Sequence, residues 1–360
     1  MWRQTYSKLT EFVHKNPQIQ ITAEKIIIPQ DVRQQFWQTF DETRREFIKQ
    51  NFSNFIEETS LLGENYVKTE KEIISLLNLE EIALPQPLKE FIQNPEKALM
   101  RELFDPLFDL LKGKIDAETF EEGSSKKVTE SIKKYYPKAY ILWLELSIMK
   151  LLEPDKVFQV PIPKVTIRHA RVFLRYAQVR MWDVPHPKET KTISPEHNVA
   201  STFIVPDFII HSKRLNRFMA FRSEAGTAVW TASNPSEKRE WIPIPPALVR
   251  LGYLDILIYM DETPDNINLI ADSQRICRPE IIIQCIVRKE WSKKEAKEKA
   301  KLYNETLKPK IGTFIISKEP IEEKTENGIQ TLSVGLNQSK LEPVIKALTS
   351  LAKEKPQHTP

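Results

Sequence analysis

Over residues 165–182 the chain reads VTIRHARVFLRYAQVRMW, placing Arg168, His169, Arg171, Arg175 and Arg180 among Phe173, Tyr176 and Trp182. On a helix Arg168, Arg171 and Arg175 share one face; on a strand Arg171, Phe173 and Arg175 do. Either geometry makes a local cationic face beside aromatic rings, the smallest footprint able to hold a phosphate backbone. The blander expectation is that these arginines pair with the chain's many carboxylates. A lysine-rich run over 293–301, interleaved with Glu295 and Glu298, predicts a solvated helix face, with contact to nucleic acid as the sharper alternative. His186 and His197 lie too far apart in sequence to predict a metal site by themselves.

Composition bounds what these residues can serve. The 360 residues, 41% hydrophobic and 28% charged, describe a globular chain long enough for two cores. A formal net charge of +4 is small for that length, so any basic site must be local. Cys277 and Cys285 are the only cysteines, which favours a reducing compartment and leaves no cysteine spacing for zinc. The start, MWRQTYSKLTEF, lacks a signal-peptide layout, and no apolar run approaches the roughly 20 residues of a membrane helix. A cytoplasmic protein with no membrane partner is expected. With 8 glycines against 25 prolines, turns rely on fixed φ; neither G-x-G-x-x-G nor G-x-x-x-x-G-K occurs, so no nucleotide or dinucleotide cofactor is indicated.

The elements that must carry these residues fall into two domains and a tail. Residues 1–154 predict a helical domain, with Phe36, Phe40 and Phe47 as an aromatic stripe beside Trp37, Asp31 as a cap, and further helices over 71–79, 95–112 and 129–152. The composition shift at Glu153-Pro154-Asp155 opens a mixed α/β domain over 155–353, and 354–360 is too polar to pack. FIVPDFIIHSK and RFMAFRSE, separated by RLN, predict a hairpin; LDILIYM, NINLIADS and PEIIIQCIV predict three more strands. Ser292 and Glu295 then form an S-x-x-E helix start, with Ala296, Ala300, Tyr303 and Leu307 at helical spacing and a buried strand over 312–316. TLSVGL is the last strand. Ser339 and Glu342 repeat the helix start ahead of Val344, Ile345 and Leu348. The expected class is α+β, a helical N-terminal domain followed by a mixed sheet.

Three strands, a helix and a further strand, β-β-β-α-β over 247–348, resemble the core of the PD-(D/E)xK nuclease superfamily, the restriction-endonuclease-like fold. The resemblance implies an acid on the second strand, an acid-x-Lys triplet on the third, one or two Mg²⁺ ions held by the carboxylates, and a lysine that orients or activates the attacking water. Carried onto this chain, the triplet falls on Gln284, Cys285 and Ile286, an amide replacing the acid and an isoleucine the lysine. Asp272, ending the preceding strand, and Glu280, after Pro279, become the implied metal ligands. Gln284 is a neutral ligand, and Arg288 supplies a cation two residues beyond Ile286. Asp272, Glu280, Gln284 and Arg288 are thus the implied catalytic set, and Lys289 joins Arg168, Arg171 and Arg175 as an implied nucleic-acid contact. With one negative charge fewer, affinity for Mg²⁺ should fall. A rival placement uses Pro206-Asp207 and Ala220-Phe221-Arg222, with Glu224 two residues later.

The function implied is that of a nuclease-like protein that binds DNA or RNA and carries a degenerate or inactive metal-dependent phosphodiesterase site. The alternative is a non-catalytic interaction or assembly protein whose helical domain offers the Phe36/Phe40/Phe47 stripe to a protein partner or a second copy. A site around His169, His186 and His197 is the remaining reading.

Overall fold

The computed structural model describes residues 1–22, 24–161, 180–181, 186–194, 205–225, 231–232, 239–243, 254–268 and 275–353. The chain is α+β, helical at its N-terminal end and built on a mixed sheet thereafter, in two compact units. One holds residues 1–67 and 85–139, the other 68–84 and 140–360. The division falls at 67/68 and 139/140, inside two long helices, and at 84/85 between them, not at Glu153-Pro154.

In the first unit α1 (Trp2–Lys15) and a ribbon of β1 (Gln20–Ile21) with β2 (Ile26–Ile27) precede α2 (Gln30–Leu77), in which Phe52 alone leaves helical geometry, at φ −135°. The stripe of α2 is a packing face: Phe36, Phe40 and Phe47 are completely buried. The Phe40 ring lies 4.6 Å from that of Phe108, tilted by 35°, and Phe47 lies 5.8 Å from Trp2, whose Nε1–H donates to Glu121 Oε1 at 2.7 Å. A surface stripe for a partner is therefore not what this helix offers. After α3 (Gln86–Gln93), the helix expected over 95–112 is two helices, α4 (Pro95–Arg101) and α5 (Phe104–Leu111). Pro106 explains the break, since its ring collides with the carbonyl four residues back and its nitrogen cannot donate. α6 (Ala117–Leu151) begins about three turns before the expected 129, where Asp116 Oδ1 accepts the Thr119 N–H at 2.8 Å, and it carries Pro137 in its interior.

The second unit contains β3 (Glu81–Ile82), β4 (Pro154–Gln159), β5 (Arg180–Met181), β6 (Lys188–Glu189), β7 (Thr192–Ile193), β8 (Phe208–Ser212), β9 (Arg217–Ala225) and β10 (Thr231–Ala232). β11 (Trp241–Pro243), β12 (Leu254–Asp261), β13 (Arg275–Cys277), β14 (Ile281–Ile286), α7 (Lys289–Leu307), β15 (Gly312–Ser317), β16 (Lys324–Glu326), β17 (Ile329–Ser333) and α8 (Glu342–Lys353) follow. Nine of the described strands form one sheet in the order β16-β17-β15-β14-β12-β9-β8-β4-β6, and the others pair in two-stranded ladders. β8 and β9 are the expected hairpin, turning through Asn216 at φ 51°. β14, β15 and β17 run parallel to one another, and the pairs β9–β12 and β12–β14 are antiparallel.

The three strands ahead of α7 are therefore β9, β12 and β14. Of the NINLIADS segment only residues 266–268 are described, so the strand expected there lies outside the described residues. Residues 264–266 form a 3₁₀ turn, 269–274 lie outside the described residues, and β13 pairs with β11 away from the main sheet. α7 buries Ala296, Ala300, Tyr303 and Leu307, the four positions that its period predicts. It starts a turn earlier than the Ser292/Glu295 pair implies. Arg288 is the N-cap residue, and Ser292 Oγ donates back to the Arg288 carbonyl at 3.0 Å as an interior helical serine. At the last helix, Asn337 rather than Ser339 caps, accepting the Ser339 N–H at 3.0 Å ahead of a short 3₁₀ turn. Among the described residues no helix is long and apolar enough to cross a membrane.

The turn between β16 and β17 is fixed against α7 and β15. Asn304 Nδ2 donates to the Asn327 carbonyl at 2.9 Å, Thr313 Oγ1 donates to Asn304 Oδ1 at 3.0 Å, and the Thr313 N–H donates to the Gly328 carbonyl at 3.0 Å. A Cβ on Gly312, whose φ is +142°, would sit 2.7 Å from that same carbonyl oxygen. Gly312→Ala is therefore expected to lower stability by about 1–3 kcal/mol, read as a drop in thermal midpoint; an unchanged midpoint would contradict this packing.

Candidate nucleic-acid interface

Glu280 sits at the head of β14, 1% exposed, with three donors on its carboxylate. Arg239 Nη2 reaches Oε1 and Oε2 at 3.2 and 3.0 Å, Lys310 Nζ reaches Oε1 at 2.9 Å, and the Met260 N–H reaches Oε2 at 2.8 Å. Arg239 also bonds the Met260 carbonyl at 3.0 Å, Asp261 Oδ2 at 3.2 Å and Cys277 Sγ at 2.9 Å, and lies over the Tyr259 ring. This is a buried clasp that ties the β11 segment to the ends of β12 and β14. Its electrostatics compensate Glu280 internally, which removes the lone pairs a metal would need.

The pairing of Ile256 with Ile283 sets Asp255 of β12 opposite Gln284 of β14, on the strand next to the triplet Gln284-Cys285-Ile286. Asp255 Oδ2 accepts the Cys285 N–H at 2.6 Å, Gln284 donates to the Ile283 carbonyl at 3.2 Å, and Ile286 is fully buried. Asp255 is thus the acid that the strand pairing brings to the triplet, a position at which the sequence reading had placed no ligand. Its signal was there: one carboxylate interrupting the apolar run from Leu254 to Met260. One carboxylate, one amide and one branched alkyl group do not make the six-oxygen shell of Mg²⁺. Among the described residues no three His, Cys, Asp or Glu side chains are grouped to hold a metal. Burial, together with the Asp255 and Glu145 carboxylates, pushes the Cys285 thiol well above its usual range, so it stays protonated and is no nucleophile.

The rival hairpin is also closed by internal charge. Asp207 lies opposite Arg222, which donates through Nη1 to Oδ1 at 2.6 Å, while the Ser223 N–H and Oγ donate to Oδ2 at 2.7 and 2.9 Å. Burial raises the Asp207 carboxyl to about 6, against the opposing pull of Arg222 and Ser223. Arg288, at the N-terminus of α7, pairs with Glu290 at 3.1 Å and lies over Trp291, so it does not stand at the sheet position of Ile286. His186 is exposed and meets Asp265 at 2.8 Å. Asp272, His169, His197, Arg168, Arg171 and Arg175 lie outside the described residues.

What the structure does assemble is a basic groove along α7. Lys289, Lys293, Lys297 and Lys301 recur every four residues, a row about 100° round the helix from Ala296 and Ala300. Two adjoining cavities of about 360 and about 300 Å³ separate this row from β16 and β17. The first is lined by Lys289, Lys293, Lys297 and Lys324, the second by Lys297, Lys301, Lys324 and Asn327. The other lysines flanking the row are paired, Lys294 with Glu298 at 3.9 Å and Lys299 with Glu295 at 2.6 Å. None of the four row lysines forms an ion pair among the described residues, and like charges four apart on a helix repel by a few tenths of a kcal/mol per pair. Glu305, Glu322 and Glu326 stand at the groove's rim, with Glu326 held by Lys324 at 2.6 Å, so the positive end is that of Lys289 and Lys293.

Two outcomes follow from the buried charges. Glu280→Gln leaves the buried Arg239 with Asp261, at 3.2 Å, as its one remaining carboxylate among the described residues and should cost about 3 kcal/mol in a denaturant titration; a loss under about 1 kcal/mol would refute the clasp. For Asp207 the folded value near 6 lies above its ordinary 3.8, so its contribution to stability is fully present below pH 3.8 and is lost as pH rises through about 6. The stability difference between wild type and Asp207→Asn should shift against wild type across that window and be flat above it. Compared with protein-family models, with curated proteins and with solved structures, the chain matches nothing, and the site is known by its geometry alone.

Proposed function

We propose that the second compact unit binds nucleic acid through the lysine row of α7 and does not hydrolyse it. The observation that carries this reading is the row itself: four exposed lysines in register along one helix, over a groove, with no ion pair among the described residues. Mutual repulsion makes such a row stable only at a small cost, and a polyanion removes that cost while releasing its own counterions. The element order β-β-β-α-β, now carried by β9, β12, β14, α7 and β15, supports kinship with phosphodiester-binding folds, and Arg168, Arg171, Arg175 and Lys289 would add charge of the same sign. Against hydrolysis stand the Gln284 amide, the buried Ile286 and the internally compensated Glu280.

The test is incubation of the full chain with labelled DNA and RNA in low salt, with Mg²⁺ or Mn²⁺ present. The expected result is a salt-sensitive mobility shift with intact strands. Absence of any shift at micromolar protein would end the proposal. Cleavage that disappears in Asp255→Asn would instead establish an active site on the β12–β14 pair.

A further inference from the structure

The groove has two walls, and this restricts what can lie in it. One wall is the row Lys289, Lys293, Lys297 and Lys301, with Glu305 beyond its far end; the other is the β16–β17 hairpin with the residues before it, which contributes Lys324 paired with Glu326, Asn327, Thr331 and Glu322. The hairpin is held in place by the Asn304 and Gly328 contacts, so the walls are set before any ligand arrives. Its floor is apolar, formed by Ile315 and Ile329 at one end and Pro320 and Ile321 at the other. Among the described residues no aromatic ring lines either cavity. A duplex presents its phosphates on the outside of a wide cylinder and can touch only the rim, whereas one strand can lie lengthwise between the walls.

We infer that the groove takes a single nucleic-acid strand by its phosphodiester backbone, without stacking or reading the bases. This rests on the reading above and specifies its ligand. The row spans thirteen residues from Lys289 to Lys301, about 18 Å of helix, which equals about five nucleotides at roughly 3.4 Å per stacked nucleotide. Sequence independence follows from the lining, because base discrimination in single strands needs rings to stack on or polar groups aimed at base edges. The strand's phosphates neutralise the row, and Lys324 with the Thr331 and Asn327 side of the hairpin confines the backbone from the other side.

The experiment measures anisotropy of labelled oligothymidylates, of about 4 to about 12 nucleotides, and of a duplex, with the full-length protein. Affinity should level off near five or six nucleotides, exceed that for the duplex by about tenfold or more, and be equal within about twofold for oligoadenylate. Four neutralised phosphates predict a slope of log affinity on log salt of about −3, hence a loss of about 50-fold between about 50 and about 200 mM salt. Lys293→Gln/Lys297→Gln should halve that slope, reducing the loss to about sevenfold. Lys294→Gln/Lys299→Gln, which removes two glutamate-paired lysines, should leave it unchanged. Duplex binding as tight as single-strand binding overturns the ligand assignment while leaving nucleic-acid binding intact. Binding untouched by Lys293→Gln/Lys297→Gln overturns the groove, and displacement by inorganic polyphosphate at far lower charge concentration than by oligothymidylate overturns the choice of nucleic acid. Failure to bind any nucleic acid overturns the earlier reading as well.

Discussion

The burial of β14 on both faces between two unlike neighbours governs the second unit. β12 pairs with it antiparallel and β15 parallel, and all six residues of β14 and of β15 are buried. A parallel neighbour cannot be reached by a tight turn, so the chain must cross over, and it does so as α7. That helix commits Ala296, Ala300, Tyr303 and Leu307 to the sheet, with Tyr303 and Leu307 joining Leu257, Tyr259 and Ile282 in one core. Once those positions are committed, helical geometry leaves no choice about where residues one step along must point. The lysine row faces the β16–β17 side because the core faces the sheet.

Acids within this sheet share a second constraint. Asp207, Asp255 and Glu280 each accept a hydrogen bond from a backbone N–H, and two of them also face an arginine across a buried pair. In a low-dielectric setting a carboxylate must be compensated, by metal, by cation or by protonation. Here the protein's own guanidinium groups take that role for Asp207 and Glu280. The chain thus puts its fixed internal cations where they hold the sheet together, and leaves its mobile cations, the lysines, at the surface.

Much of this architecture was legible from residue type and spacing. The packing positions of α7 and α8, the β8–β9 hairpin and the apolar runs of β14 and β15 are local patterns, and local patterns survive folding. Two features were not legible, each for a physical reason. Ser292 looks like a cap because its spacing to Glu295 is right, yet a helix begins where the strand ends, at Arg288. The groove needs a wall from 324–331, more than twenty residues beyond the lysines, and sequence spacing carries no information about that approach. Asp255 was overlooked for the converse reason, since a lone acid in an apolar strand acquires meaning only when the register puts it beside Gln284.

The ends of the nine-stranded sheet are short and charged. One edge is β16, three exposed residues in which Lys324 and Glu326 pair with each other; the other is β6, two exposed residues, Lys188 and Glu189. Unpaired edge backbone is what recruits a strand from a second molecule, and brevity with charge of both signs makes that recruitment unfavourable. A sheet this broad would otherwise be a template for edge-to-edge growth into fibres. Its flanks instead place the burden of avoiding aggregation on four side chains, and a change that lengthened or neutralised either flank would expose the chain to ordered self-association without altering its core.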